Sequence, residues 1–276
     1  MTTPFGNNLS LTRRSLLGAG AGLGLVASMG APAHAAYTTY KYGSNASQFG
    51  ELSLPTGTPR GVVVVIHGGY WRSQYTLSLG RPLAADLVTR GWAVWNLEYR
   101  RVGNGGGNPT TFDDVSNGID YLSTRGLNLS KVITMGHSAG GHLGTWAASR
   151  KRFSRWSAAK VNVTHVISQA GVLDLTTAYN QNLGSGAVRS FMGTAPGSSY
   201  DPCDPQRHIP LTQPLWAIHS TQDTTVPISQ SQNYVNAATA AGAQAQLVTT
   251  TGDHFSVITT THPAWQQQIA ILDSIG

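Results

Sequence analysis

Charge is scarce in this chain. Only 11% of its 276 residues are Asp, Glu, Lys or Arg, with 18 basic against 12 acidic, a formal +6. The basic residues are scattered except for Arg150-Lys151-Arg152 with Arg155. A nucleic-acid binder would need a denser basic stripe, so that class is excluded. Cysteine is almost missing. A lone Cys203 cannot form an intrachain disulfide, and no His or Cys cluster has ligand spacing, so no metal is expected. The first long β-prone run is followed by His67-Gly68-Gly69-Tyr70-Trp71, not by the G-x-G-x-x-G of a dinucleotide site, and no cofactor is expected. There is no internal repeat and no long Pro/Gly/Ser linker. Nor is there a sign of an oligomer.

A long apolar run is lacking too. The stretch 16–29 falls short of the ~20 residues that span a bilayer and is diluted by glycine, so no stable membrane insertion is expected. It follows Thr12-Arg13-Arg14-Ser15 and precedes Ala33-His34-Ala35. A paired arginine, a weakly apolar stretch and a small-x-small site together read as a bacterial twin-arginine export signal over 1–35. Cleavage after Ala35 leaves one domain over 36–276, placed in the periplasm or secreted. Its net charge falls to +4, because 18 − 2 basic residues then face the same 12 acidic ones.

What is present alternates between two periods. Residues 37–55 read as one or two short strands. The run Val62-Val63-Val64-Val65-Ile66 is apolar throughout, as a strand covered on both faces must be. Further strands are expected over 92–97, 132–135, 163–168, 215–219 and 245–250, with helices over 77–89, 111–122, 142–149, 229–241 and 263–275. Thr110 or Thr111 is expected to cap the second of these helices. Strands alternating with helices imply an α/β architecture, a mostly parallel sheet with helices on both faces. The segment 172–213 is long for a connection and rich in turn formers, so it is read as a small partial cap over the strand ends.

The chemistry centres on Gly136-His137-Ser138-Ala139-Gly140, a G-x-S-x-G turn between a strand and a helix. Such a turn lifts the serine hydroxyl above the sheet edge and tolerates only small neighbours. A serine needs a base, and the base needs a carboxylate to fix its tautomer. Asp223 follows the penultimate strand and His254 the last, giving the order Ser, Asp, His expected of this architecture. Ser138 is therefore the candidate nucleophile, His254 the general base and acid, and Asp223 the orienting carboxylate, with Asp174 the rival acid. His137 and His142 read as packing residues, Asp253 as a turn or cap residue, and His262-Pro263 as a helix start. The amides of Gly68, Gly69 and Ala139 are the candidate oxyanion donors. Tyr70 and Trp71 are the candidate substrate-binding residues.

Several stretches carry a resemblance. They are Tyr42-Gly43, Gln48-Phe49-Gly50, Leu54-Pro55, His67-Gly68-Gly69-Tyr70-Trp71, Glu98-Tyr99-Arg100-Arg101, Phe112-Asp113-Asp114-Val115 and the serine turn through His142, with Asp223 and His254. Together they resemble the α/β-hydrolase superfamily of esterase and lipase type, and within it the kynurenine formamidase-like and feruloyl esterase-like branch. The resemblance implies an α/β-hydrolase fold and cofactor-free cleavage of acyl or formyl groups by Ser138, Asp223 and His254. It also implies a structural pair between Glu98 and Arg100. The expected activity is hydrolysis of short-acyl or aryl esters, with a small-molecule ester as the substrate. Aryl formamide hydrolysis is the first alternative, and a non-catalytic binding protein on this scaffold the second.

Overall fold

A computed structural model describes residues 36–276; the export signal expected over 1–35 lies outside them. An eight-stranded sheet runs through the molecule in the order β1-β2-β4-β3-β5-β6-β7-β8. These strands are β1 (Thr38–Lys41), β2 (Phe49–Ser53), β3 (Val62–Ile66), β4 (Ala93–Leu97), β5 (Val132–His137), β6 (His165–Gln169), β7 (Leu215–Ser220) and β8 (Ala245–Thr250). The first two form an antiparallel hairpin whose second strand pairs antiparallel with β4; every later pairing is parallel.

The helices are α1 (Arg81–Thr89), α2 (Thr110–Asp120), α3 (Ala139–Ser149), α4 (Leu175–Asn180), α5 (Leu183–Met192), α6 (Ser229–Ala240) and α7 (Pro263–Ile275). Alternation along the strands divides the core in two. Val62, Val64 and Ile66 pack with Phe112, Val115, Leu143, Trp146, Tyr234 and Val235 on the α2, α3 and α6 side. Val63 and Val65 pack with Leu83, Leu87, Trp265, Ile269 and Leu272 on the α1 and α7 side. A strand apolar at every position is thus buried on both faces, as its sequence required. This is the α/β-hydrolase fold. Because β3 to β8 are parallel, the residues following them gather along one edge of the sheet, where ligands bind in such folds.

Local differences from the sequence reading have physical causes. The helix expected over 77–89 begins as a 3-10 turn over Leu77–Gly80, and α1 proper starts with Arg81-Pro82. Proline supplies no N–H, so it suits the first turn of a helix. Neither Thr110 nor Thr111 caps α2, whose N-cap is Pro109. Thr111 Oγ1 instead accepts from Gly107 N at 2.9 Å and donates to the Arg100 carbonyl at 2.7 Å. The segment 172–213 carries α4 and α5. Ala187, Val188 and Phe191 of α5 lie inside the main apolar core, while Gly184 lies against the Tyr70 ring.

Candidate active site

Ser138 stands between β5 and α3 with φ 55° and ψ −117°, a left-handed conformation forced on a non-glycine residue. Such a residue persists only where its surroundings over-determine it. Here Ser138 N donates to the Gln169 carbonyl at 2.8 Å, tying the turn to β6. The flanking glycines are sterically required. A Cβ on Gly136 would run into the Gly140 carbonyl, and one on Gly140 into the Ile66 carbonyl oxygen. The Ser138 hydroxyl has no hydrogen-bond partner among the described residues, and the residue is 2% exposed.

Asp223 and His254 are brought together from the loops after β7 and β8. His254 Nδ1–H donates to Asp223 Oδ2 at 2.6 Å. The other carboxylate oxygen accepts from Thr225 N at 2.8 Å and Val226 N at 2.9 Å. Burial alone would raise the Asp223 pKa. Hydrogen bonds from His219, His254 and the Val226 amide outweigh it and hold the carboxyl well below the usual range. His137, the residue before the serine, reaches the same histidine. Its Nε2–H donates to the His254 carbonyl at 3.0 Å, and the two rings lie 4.5 Å apart. Asp174 lies elsewhere. It is the N-cap of α4, accepting from Thr177 N at 2.8 Å.

The Gly68-Gly69 loop lies against the nucleophile turn, where a Cβ on Gly68 would come within 3.0 Å of Ser138 Cβ. His67 fixes this loop. Its Nδ1–H faces the Gly68 carbonyl at 2.8 Å, so Nε2 is free to accept from Arg101 Nη1 at 3.0 Å. The amides of Gly68, Gly69 and Ala139 have no acceptor among the described residues. Glu98 pairs with Arg101, not with Arg100. Arg100 instead makes a two-pronged contact with Asp114, both bonds at 2.7 Å. The buried Glu98 carboxylate also accepts from Leu77 N and Tyr99 N, each at 3.0 Å. Glu98 therefore needs a cation in the interior, and the side chain of Arg101, unlike that of Arg100, is buried there.

Trp71 does not line the mouth. Its ring has no exposed surface, stacks on Phe191 at 4.6 Å and donates from Nε1 to His142 Nδ1 at 3.2 Å. A large flat ring pointing inward is worth more as core than as rim. Tyr70 is partly exposed and bonds through its hydroxyl to the Thr225 carbonyl at 2.9 Å, beside the Asp223 loop. The rim residue missed in the sequence is Phe255, 51% exposed, whose ring lies 5.5 Å from that of His254. Its place directly after the candidate base was the available signal. An apolar groove of about 490 Å³ lies beside Pro109, Phe153, Trp156 and Pro202 and includes none of these site residues.

Four histidines are buried as neutral rings. Burial pushes His67, His137 and His142 down to about 3 and His208 to about 4. The unfolded chain titrates them near 6.5 and takes up protons that the native state refuses. Stability is therefore lost as pH falls below about 6.5, by roughly 1.4 kcal/mol per pH unit for each ring. Burial pushes the Asp204 carboxyl up to about 6, so over the interval below that it offsets roughly one of the four. A net loss of about 4 kcal/mol per pH unit, set against a typical stability of ~5–15 kcal/mol, should unfold the protein between about pH 3 and 5.5. Far-UV circular dichroism across a pH titration checks this. A native spectrum and a sharp thermal transition below about pH 3 would contradict it.

Comparison with known proteins adds to this geometry. The BD-FAE family model matches residues 52–237. An isoprenylcysteine alpha-carbonyl methylesterase of Arabidopsis thaliana is 26% identical over 238 residues, covering 76% of this chain and 54% of that protein. A probable isoprenylcysteine alpha-carbonyl methylesterase of Oryza sativa subsp. japonica is 28% identical over 215 residues, 69% and 50% of the two. The chain thus spans about half the length of the curated relatives it matches. Among solved structures, esterase B from Lactobacillus rhamnosis superposes with a TM-score of 0.76 at 20% identity, covering 88% of this chain and 85% of that one. A truncated carbohydrate esterase from gut microbiota gives 0.75 at 21%, covering 88% and 98%. At these identities the superpositions speak for the fold.

Proposed function

We propose, from the premise that this chain belongs to the BD-FAE family, that it is a serine hydrolase cleaving carboxylic esters through an acyl-enzyme. The observation that carries the reading is the 2.6 Å hydrogen bond from His254 to Asp223, on the same sheet edge as the left-handed Ser138. In this mechanism Ser138 Oγ attacks the ester carbonyl carbon while His254 Nε2 takes its proton. The oxygen left negative is met by the amides of Ala139, Gly68 and Gly69, which need no reorganisation to receive it. His254, held in the right tautomer by Asp223, then protonates the departing alcohol. Water activated by the same imidazole releases the acid and restores Ser138.

The enclosed site favours compact acyl groups. Ser138 and His254 are 2% and 4% exposed, and the rim offers Tyr70 and Phe255 rather than a long apolar trough. The motifs shared with the kynurenine formamidase-like and feruloyl esterase-like branch make an aryl formamide and a feruloyl ester the rivals to run beside simple esters. Arg13-Arg14 and Ala33-His34-Ala35 support export of the enzyme out of the cytoplasm by the twin-arginine route.

The test is a p-nitrophenyl ester series from acetate to palmitate, with an aryl formamide and a feruloyl ester alongside. A fluorophosphonate should label Ser138 of the same preparation. The expected result is the highest kcat/KM on acetate or butyrate and the lowest on palmitate. A maximum at palmitate would defeat the compact-site argument, and a formamide outrunning every ester would make the enzyme a formamidase. Failure to label would leave a binding protein on this scaffold.

A further inference from the structure

Both oxygens of the Asp223 carboxylate are held, and Oδ2 is approached from two sides. His254 reaches it from the site, at 2.6 Å. From the interior comes His219, near the end of β7, with Nε2 3.2 Å from the same oxygen. His219 has no exposed surface, and its Nε2 lies 2.9 Å from the Val226 carbonyl. Both neighbours of that nitrogen are acceptors, so it must carry a proton, which it donates to the Val226 carbonyl while the N–H dipole lies beside Oδ2. On the far side of the ring, Nδ1 sits 2.8 Å from the hydroxyl of Ser231, itself fully buried on α6. Ser231 can give its proton to Nδ1 and so keep the hydrogen on Nε2, where the Val226 carbonyl accepts it beside the carboxylate.

This arrangement does more than fill space. A carboxylate anchored on Oδ1 alone can still pivot, and the aim of the His254 ring follows the aim of Oδ2. A second polarised N–H beside Oδ2, carried near the end of β7 and itself held by the Val226 carbonyl, limits that freedom. We propose that His219 is a positioning residue for ester hydrolysis: held by Ser231, it fixes Oδ2 of Asp223 and through it the tautomer and direction of His254. This rests on the assignment of Ser138, Asp223 and His254 made above. His219 touches neither substrate nor the reacting atoms. It joins the sheet and α6 to the triad in a line running Ser231, His219, Asp223, His254.

The experiment compares His219→Met, which fills the volume without a donor, with His219→Gln, whose amide N–H can stand near the Nε2 position. Ser231→Ala and Asp223→Asn are run beside them. The measurements are kcat and KM on p-nitrophenyl acetate and the low-field proton resonance of the His254–Asp223 hydrogen bond. His219→Met should lose kcat on the order of 10²-fold, the scale of a slightly misplaced catalytic group, with KM nearly unchanged and the low-field signal shifted or lost. His219→Gln should recover most of kcat and the signal. Ser231→Ala should show a smaller loss in the same direction. A folded His219→Met with wild-type kcat and signal overturns the proposal, as does a Gln variant no better than Met. Should the Met variant fail to fold, Ser231→Ala decides, and wild-type kcat with an unmoved resonance there overturns it as well. Full activity in Asp223→Asn would instead bring down the triad assignment itself, whereas a crippled Asp223→Asn beside an unimpaired His219→Met removes only the role given to His219.

Discussion

Replacing Ser138 with alanine should lower kcat on aryl esters by about 10⁶-fold while leaving the fold and the melting temperature close to those of the parent. The size follows from the way triad members act as a unit, so that loss of the nucleophile costs about as much as loss of all three. The residual rate, roughly 10³–10⁴-fold above water, would come from the oxyanion donors and from binding. Stability should survive because the Ser138 hydroxyl has no partner among the described residues, so its removal orphans no buried group. The unusual backbone at φ 55° is strained for either residue, and alanine adds nothing to it. A purified variant is checked with p-nitrophenyl acetate, fluorophosphonate labelling and thermal unfolding. Turnover within tenfold of wild type would remove Ser138 from the mechanism. Lost activity with a collapsed melting transition would mean that the turn, not the hydroxyl, had been damaged.

The sheet was legible because its signals are physical and local. Val62 to Ile66 is apolar at every position, which only a strand covered on both faces needs. The closing helix over Pro263–Ile275 announces itself by His262, whose ring accepts from Ala264 N at the N-cap, and by the proline after it. The cap of α2 was not legible. Thr111 had a choice between its own helix and the carbonyl of Arg100, and tertiary contacts made that choice. Likewise Glu98 stands two residues from Arg100 and three from Arg101. Sequence spacing says nothing about which guanidinium turns inward.

At the site, strand order carried most of the inference. Ser138, Asp223 and His254 each follow a strand, and parallel strands bring such residues to one edge. Tyr70 and Trp71 show where this reasoning fails. They are adjacent, both aromatic and both in left-handed conformations, yet one reaches the rim and the other is wholly buried. Their difference is set by Phe191 and His142, which pack on Trp71 from α5 and α3. His219 escaped notice for the same reason. Four residues before Asp223 it reads as part of a strand, and only the fold turns its ring toward the carboxylate.

Asp223→Asn should cost on the order of 10⁴ in kcat, the scale of a triad histidine forced into the wrong tautomer. The hydrogen bonds around the carboxylate say which way the new amide turns. Oδ1 receives two backbone N–H groups, from Thr225 and Val226, so the amide oxygen must stay there. A flipped amide would set N–H against N–H and leave both buried donors without an acceptor, at a cost of about 1–3 kcal/mol each. The NH₂ group then takes the Oδ2 position and points at His254 Nδ1, while His219 keeps its acceptor in the Val226 carbonyl. To accept from it, His254 must move its proton to Nε2, and that nitrogen can no longer take the proton of Ser138. KM should change little, since the Asp223 side chain is fully buried and contacts no substrate. Asp174→Asn is the matched control. It leaves α4 with an asparagine at the N-cap, as good a cap as aspartate, and should keep nearly full activity. Steady-state kinetics of both variants on p-nitrophenyl acetate separate the two carboxylates. Near-normal kcat in Asp223→Asn with a large loss in Asp174→Asn would move the orienting acid to Asp174, against the 2.6 Å hydrogen bond that joins Asp223 to His254.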